Sequence, residues 1–245
     1  MSYLYWKNYF ISNQTHFDNL DFKVADKLSP KEKRLITQSI QQFQKGEHSE
    51  GKHLFSFAKT FPDITYLDCI RLFIKEEQKH ASVLARFMER YKIPRVKDHW
   101  MDAVFRSLRN LAGLENTIIV LVTAEIIAKV YYQALGNATS SVLLQKICNQ
   151  VLEDEDQHLA FQAYTLNHFY SSSSRIRQII TRSWHRILMI GTIFAVWFWH
   201  KKVLIRGGRF FSKFFMETML VYFEVEQQIK TSKYADRQMC RLQKI

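Results

Sequence analysis

Glu77-Gln-Lys-His80 and Glu155-Asp-Gln-His158 repeat one pattern 78 residues apart in this chain of 245. Positions i and i+3 of an α-helix lie one above the other on the same face, so each Glu and His can grip one metal ion together. A single Glu-x-x-His is common by chance. Here each copy also follows a lone glutamate by 30 residues, Glu47 before Glu77 and Glu125 before Glu155. Thirty residues make a helix, a turn and a returning helix, which brings each lone Glu back level with its pair. Four carboxylates and two imidazoles meeting inside a helical bundle is an arrangement that holds two iron or manganese ions.

The flanking residues carry the same reading. Ile36, Ile40, Phe43, Glu47, Glu50, Leu54 and Phe57 step by three and four, as do Ile70, Phe73, Glu77, His80, Leu84 and Phe87. Ile118, Leu121, Glu125, Ala128, Tyr132 and Leu135 form a third stripe, and Leu144, Cys148, Val151, Glu155, His158 and Gln162 a fourth. The first two stripes are apolar except at Glu50 and the motif residues, where an unpaired charge would be costly. The spacing predicts four helices, over about 29–59, 63–93, 115–135 and 141–170. Ser29-Pro30-Lys31-Glu32, Asp63 and Ser140 or Ser141 are the starting caps, and Gly136-Asn137 a stop. Another short amphipathic helix is expected near His99 to Leu111. Seven Gly and three Pro favour long helices over turn-rich β structure, and 47% hydrophobic residues suffice for a sizeable core. Three widely spaced cysteines fit neither a disulfide framework nor a zinc site, which points to a reducing compartment. The first ten residues do not look like a signal peptide.

Beside the motifs, Glu76, Asp154 and Asp156 read as surface charge, His48 and His53 point off the stripe, and Tyr132 and Cys148 read as core packing. Glu47 and Glu50 share a face. The 30-residue symmetry selects Glu47 as the ligand and leaves Glu50 to support the centre from behind or to replace it.

The segments GEHSEGKHLFSFAK, FIKEEQKHA, LVTAEIIAKVYYQAL and EDEDQHLAFQA resemble the ferritin-like superfamily of di-iron carboxylate proteins, and in particular bacterial ferritin-like domain proteins. The resemblance covers about residues 30–170. Gly46-Glu47 and Phe57-Ala58 are similar to the first-ligand helix of rubrerythrins, although the Cys-rich rubredoxin module of those proteins is missing. The resemblance implies an all-α, ferritin-like four-helix bundle with a C-terminal helical extension, divided as 1–29, 30–170 and 171–245. In it Glu77 and Glu155 bridge the metals, Glu47 and Glu125 are terminal ligands, and His80 and His158 each hold one metal. The cofactor expected is two iron ions, or an Fe/Mn or Mn/Mn pair. The expected chemistry is oxidation by O₂ or peroxide of a small-molecule or lipid substrate, with an electron-donor protein. The alternatives are an iron-handling ferroxidase without an organic substrate, and a membrane-docked protein that keeps metals for stability. A homodimer is among the expected assemblies, and no nucleic-acid motif accompanies the basic charge.

That charge, +12 overall, is uneven. Residues 175–245 hold 14 Lys+Arg against 4 Asp+Glu, and residues 1–174 hold 21 against 19. The uncharged run from Ile187 to Trp199 is 13 residues, whereas a span needs about 20, so the reading is a packed or membrane-surface helix rather than a crossing one. Trp184, Trp197 and Trp199 lie among these cations. The expected location is cytoplasmic, or peripheral to the inner face of a membrane.

Overall fold

The structure is a computed structural model that describes residues 2–23, 25–47, 51–96 and 113–242, with side chains through 231. It is all-α. Helix α1 (Tyr3–Ser12) runs into a 3₁₀ turn (Asn13–Asn19). Then come α2 (Pro30–Glu47), α3 (Lys52–Ala58), α4 (Ile64–Arg90), α5 (Gly113–Ala138), α6 (Val142–Ser171), α7 (Arg175–Arg206) and α8 (Phe211–Leu242). The helix expected near residues 99–111, and Glu50, lie outside the described residues.

Local chemistry sets most of the helix starts. The Ser29 hydroxyl accepts from the Glu32 amide while the Glu32 carboxylate accepts from the Ser29 amide, each at 3.2 Å, a reciprocal cap. Asp63 and Ser141 accept from Thr65 and Leu144 to open α4 and α6. Two boundaries differ from the periodicity. The first helix is not continuous to Lys59, because Gly51 sits at φ +62° between α2 and α3, a conformation glycine adopts without strain. The third helix passes through Gly136-Asn137 to Ala138, since a glycine inside a well-buried helix costs only about 1 kcal/mol.

Helices α2, α4, α5 and α6 surround the motif residues. Helix α1 buries Tyr3, Trp6 and Phe10, followed by Phe17 of the 3₁₀ turn. Its rings pack edge-on or tilted against Tyr66 of α4 and Phe161 of α6, so it fills the groove between those helices. Such aromatic pairs add about 0.5–1.5 kcal/mol each beyond the area they bury.

The C-terminal helices lie on the other side. Helix α7 packs on α5 and α2, and α8 on α6 and α5. Met189, Ile193, Val196, Phe214, Tyr222 and Val225 belong to the same hydrophobic core cluster as the bundle. At their joint Gly208 takes φ +80° while the Arg209 amide reaches back to the Leu204 carbonyl, a left-handed helix stop. Gly207 must also lack a side chain, since a Cβ there would lie 2.2 Å from the Ala134 carbonyl oxygen of α5. Buried Arg209 pins the joint to Glu217 and Gln133 at 2.6 and 2.7 Å.

By length and composition two helices could cross a membrane. Of the apolar window of α5, 78% is buried within the protein, as befits a core helix; for α7 the figure is 39%. Helix α7 as folded has 32 residues and passes by length, although its uncharged run is 13. One side of it is nevertheless committed to the bundle. Helix α8 continues to Leu242.

Candidate metal centre

The six residues picked out by spacing converge. Two overlapping groups could each hold a metal ion: Glu47, Glu77, His80 and Glu155, and Glu77, Glu125, Glu155 and His158. Within each, the ligand atoms lie within 4.8 Å of one another. Glu77 and Glu155 are common to both. The His158 Nδ1 atom is 3.2 Å from Glu77 Oε1, 3.4 Å from Glu155 Oε2 and 3.8 Å from Glu125 Oε2. The His80 Nδ1 atom is 3.6 Å from the same Glu77 oxygen and 3.9 Å from Glu155 Oε1. Glu155 thus turns one oxygen toward each imidazole.

Both rings are fixed from behind. His80 Nε2 is 2.9 Å from Asp154 Oδ2, and His158 Nε2 is 3.0 Å from Glu76 Oε2. The pairing is crossed: the acid beside Glu155 on α6 serves the histidine of α4, and the acid beside Glu77 on α4 serves the histidine of α6. A carboxylate on Nε2 favours a proton there, so Nδ1 is the nitrogen that would give its lone pair to a metal, the usual outer support of a metal-bound histidine. Glu76 and Asp154 are therefore buried parts of the site, which corrects their reading as surface charge. Asp156, which pairs with Lys129 at 2.6 Å, is half exposed, as read. The sequence did carry a signal for the other two: both motifs read acid-Glu-x-x-His, so the extra acid repeats with the same spacing as the ligands.

The N-terminal segment closes this side. The Asn13 amide nitrogen donates to both Glu76 and Asp154 and so ties the two carboxylates together. His16 Nε2 lies 2.8 Å from Asp154 Oδ2, and its Nδ1 contacts the Asn13 carbonyl. Phe10 and Phe73 stand against His158, and Phe17 edge-on to His80. None of Asn13, His16 or Phe17 was singled out from sequence. Opposite them, the Tyr132 hydroxyl donates to Glu47 Oε1 at 2.7 Å. Tyr132 is buried, as core packing requires, and also touches the candidate ligand directly.

Cations would ease the electrostatics of these buried acids. Burial, then repulsion from Glu125 and Glu47, pushes the Glu77 carboxyl well above its usual range. Burial and Glu125 do the same to Glu155. Glu47 is raised mainly by burial. For Glu125 burial also raises, but its close approach to Glu155 and to the His158 and His80 imidazoles outweighs that and the carboxyl falls below its ordinary value. The His158 imidazole is held well above its usual value: burial alone would lower it, and Glu125, Glu155 and Glu76 override that. Without cations, only shared protons can relieve so many buried acids.

The inward atoms fit that need. Glu77 Oε1, both Glu155 oxygens and the Nδ1 atoms of His80 and His158 are buried without a hydrogen-bond partner. Hard carboxylate oxygens with one imidazole per group suit iron or manganese. The geometry is compatible with a dimetal centre in a helical protein. Compared with protein-family models, with curated proteins and with solved structures, the chain matches none.

Proposed function

We propose that the chain is a non-haem dimetal oxidoreductase that binds two iron ions, or an Fe/Mn or Mn/Mn pair, and oxidises a substrate with O₂ or peroxide. The observation that carries this reading is the set of unpartnered inward atoms, two Nδ1 and three carboxylate oxygens, shared between two overlapping groups. In this reading Glu77 and Glu155, which belong to both groups, would serve both metals, Glu47 and Glu125 would hold one each, and His80 and His158 would bind through Nδ1. The metal pair would supply the two-electron chemistry with O₂ or peroxide. The chain holds the ring protons on Nε2 against Asp154 and Glu76. Tyr132 keeps a hydroxyl proton on Glu47 Oε1. Phe10, Phe17 and Phe73 keep water away from the imidazoles. One turn beyond His158, buried Gln162 has both amide atoms without a partner among the described residues and can orient a polar substrate group.

Iron handling is the second reading, and one observation favours it. His16, Asp154 and His80 form a third group that could hold an ion, and His16 is only half-buried. An Fe(II) ion could pass there on its way inward.

Anaerobic loading with Fe(II) followed by O₂ titration separates the two. The oxidoreductase reading expects about two iron atoms per chain, turnover that stops when electrons run out, and restart with a reductant. Continued Fe(II) consumption into a growing mineral core would establish iron handling instead. Iron near zero, or unchanged in a Glu77→Ala, Glu155→Ala double variant, would remove both.

A further inference from the structure

We propose that the outward face of α7 lies on an anionic lipid surface, with the helix axis in the plane of the membrane. The inference is independent of the dimetal chemistry. Helix α7 is apolar on two opposite sides. Met189, Ile193, Val196 and Val203 face the bundle and are buried. On the other side Ile180, Trp184, Ile187, Phe194, Phe198 and Ile205 recur at steps of three, four and seven and are exposed, Ile187 at 65% and Phe198 at 67%. At about 1.5 Å per residue this row runs for roughly 40 Å. A row of large apolar side chains of that length in water is costly and marks a contact surface.

Charge selects the contact. Helix α7 carries seven Arg and Lys and no Asp or Glu. Arg175, Arg186, Lys201, Lys202 and Arg206 are exposed around the apolar row. Two cations have acidic partners on other helices, Arg177 with Glu115 at 2.7 Å and Arg182 with Glu226 at 3.5 Å. A second copy of the chain is the weaker occupant. Antiparallel α7 helices would set Lys201, Lys202 and Arg206 against Arg175 and Arg177, and parallel ones would set each cation against itself. Like charges in either direction oppose that contact, whereas anionic headgroups neutralise the same cations. Tryptophan among cations beside an apolar row is the composition of helices that lie in the interface. The packing on α5 and α2 holds α7 against the bundle from His185 to Leu204, which is compatible with lying flat.

The test uses the full-length metal-loaded protein and vesicles of phosphatidylcholine with and without phosphatidylglycerol. Co-sedimentation is expected with the anionic vesicles at low salt, at least tenfold weaker with neutral ones, and weakening as salt rises. Lys201→Glu with Lys202→Glu should reduce binding by roughly tenfold or more, because each cation near such a surface contributes several-fold. Ile187→Asp with Phe198→Asp should abolish it while the circular dichroism spectrum is kept; both residues point away from the core. If the aspartate variant loses its helical spectrum, the lysine pair decides alone. The proposal is overturned by absence of binding to anionic vesicles, or by equal, salt-independent binding to both. A solution dimer that the aspartate variant dissolves, with no vesicle binding, would assign the face to a second copy. Recovery only in detergent, with residues 187–199 protected from protease in vesicles, would make α7 a spanning helix.

Discussion

At Glu76 and Asp154 a carboxylate sits one position before a shared glutamate of the centre and reaches the histidine of the opposite helix. Removing it frees the ring to rotate and lets the proton move to Nδ1, where it would oppose a metal. Glu76→Ala or Asp154→Ala should each weaken metal binding by roughly 10–100-fold, read by titration with Fe(II) or Mn(II) under anaerobic conditions. Asn13→Ala should weaken binding less, since it loosens the two carboxylates without deleting them. Unchanged affinity in all three would mean that the crossed pairs do not support the centre. The choice between Glu47 and Glu50 belongs to the same scale. Glu47 reaches the candidate centre and accepts from Tyr132. Glu47→Ala is therefore expected to lower metal occupancy more than Glu50→Ala, and elemental analysis of the two variants showing the reverse order would hand the position to Glu50.

At the scale of elements, caps and turns hold the bundle's ends together as well as starting its helices. The Glu32 carboxylate caps α2 and also accepts from the amide and hydroxyl of Ser140, at 2.6 and 2.9 Å, in the turn between α5 and α6. Its slight burial would raise its pKa, but the bonds from Ser140 and Ser29 outweigh that and hold it below the ordinary value. A carboxyl whose folded pKa is depressed adds stability above its unfolded value, and this is lost as pH falls through the folded one. Glu32→Ala should therefore lower the thermal midpoint at pH 7, and the gap to the parent should shrink as the pH is taken below about 4. A gap that stays constant with pH would show that the ionised carboxylate is not what matters there.

For the whole molecule, the centre and the fold are linked by charge. Buried acids that repel one another in the metal-free chain become ligands once two cations are present. A metal that binds only the folded state stabilises by about 2.7 kcal/mol at a hundred times its dissociation constant, or roughly 5–10 °C for a chain of this size. Loading with Mn(II), which avoids oxidation, should raise the thermal midpoint by that order, and chelation should reverse it. The Glu77→Ala, Glu155→Ala variant should show no such rise. Its metal-free form should melt no lower than the metal-free parent, since two repelling buried carboxyls are gone. A midpoint indifferent to metal in the parent would argue against occupancy of the folded centre.

The sequence by itself determined what depends on neighbours along the chain. Helical periods, the Ser29, Asp63 and Ser141 caps, and the matched Glu-x-x-His spacing follow from 3.6 residues per turn and from unsatisfied amides at helix starts. That is why the all-α class and the six converging residues were legible. Glu76 and Asp154 repeat beside both motifs, but the stripe did not show that they are buried, because each lies about 100° around the helix from its motif glutamate, on the flank of the apolar stripe. In a bare four-helix bundle that flank would face water. Here α1 and the 3₁₀ turn lie over it, and Asn13 and His16 supply the partners. The break at Gly51 was hidden in the same way, since the stripe continues through it. On α7 the sequence showed apolar residues and cations, but both its faces are apolar. Only packing on α5 and α2 decided which was spent on the core and which was left outward, because burial is a property of what lies opposite a residue in space.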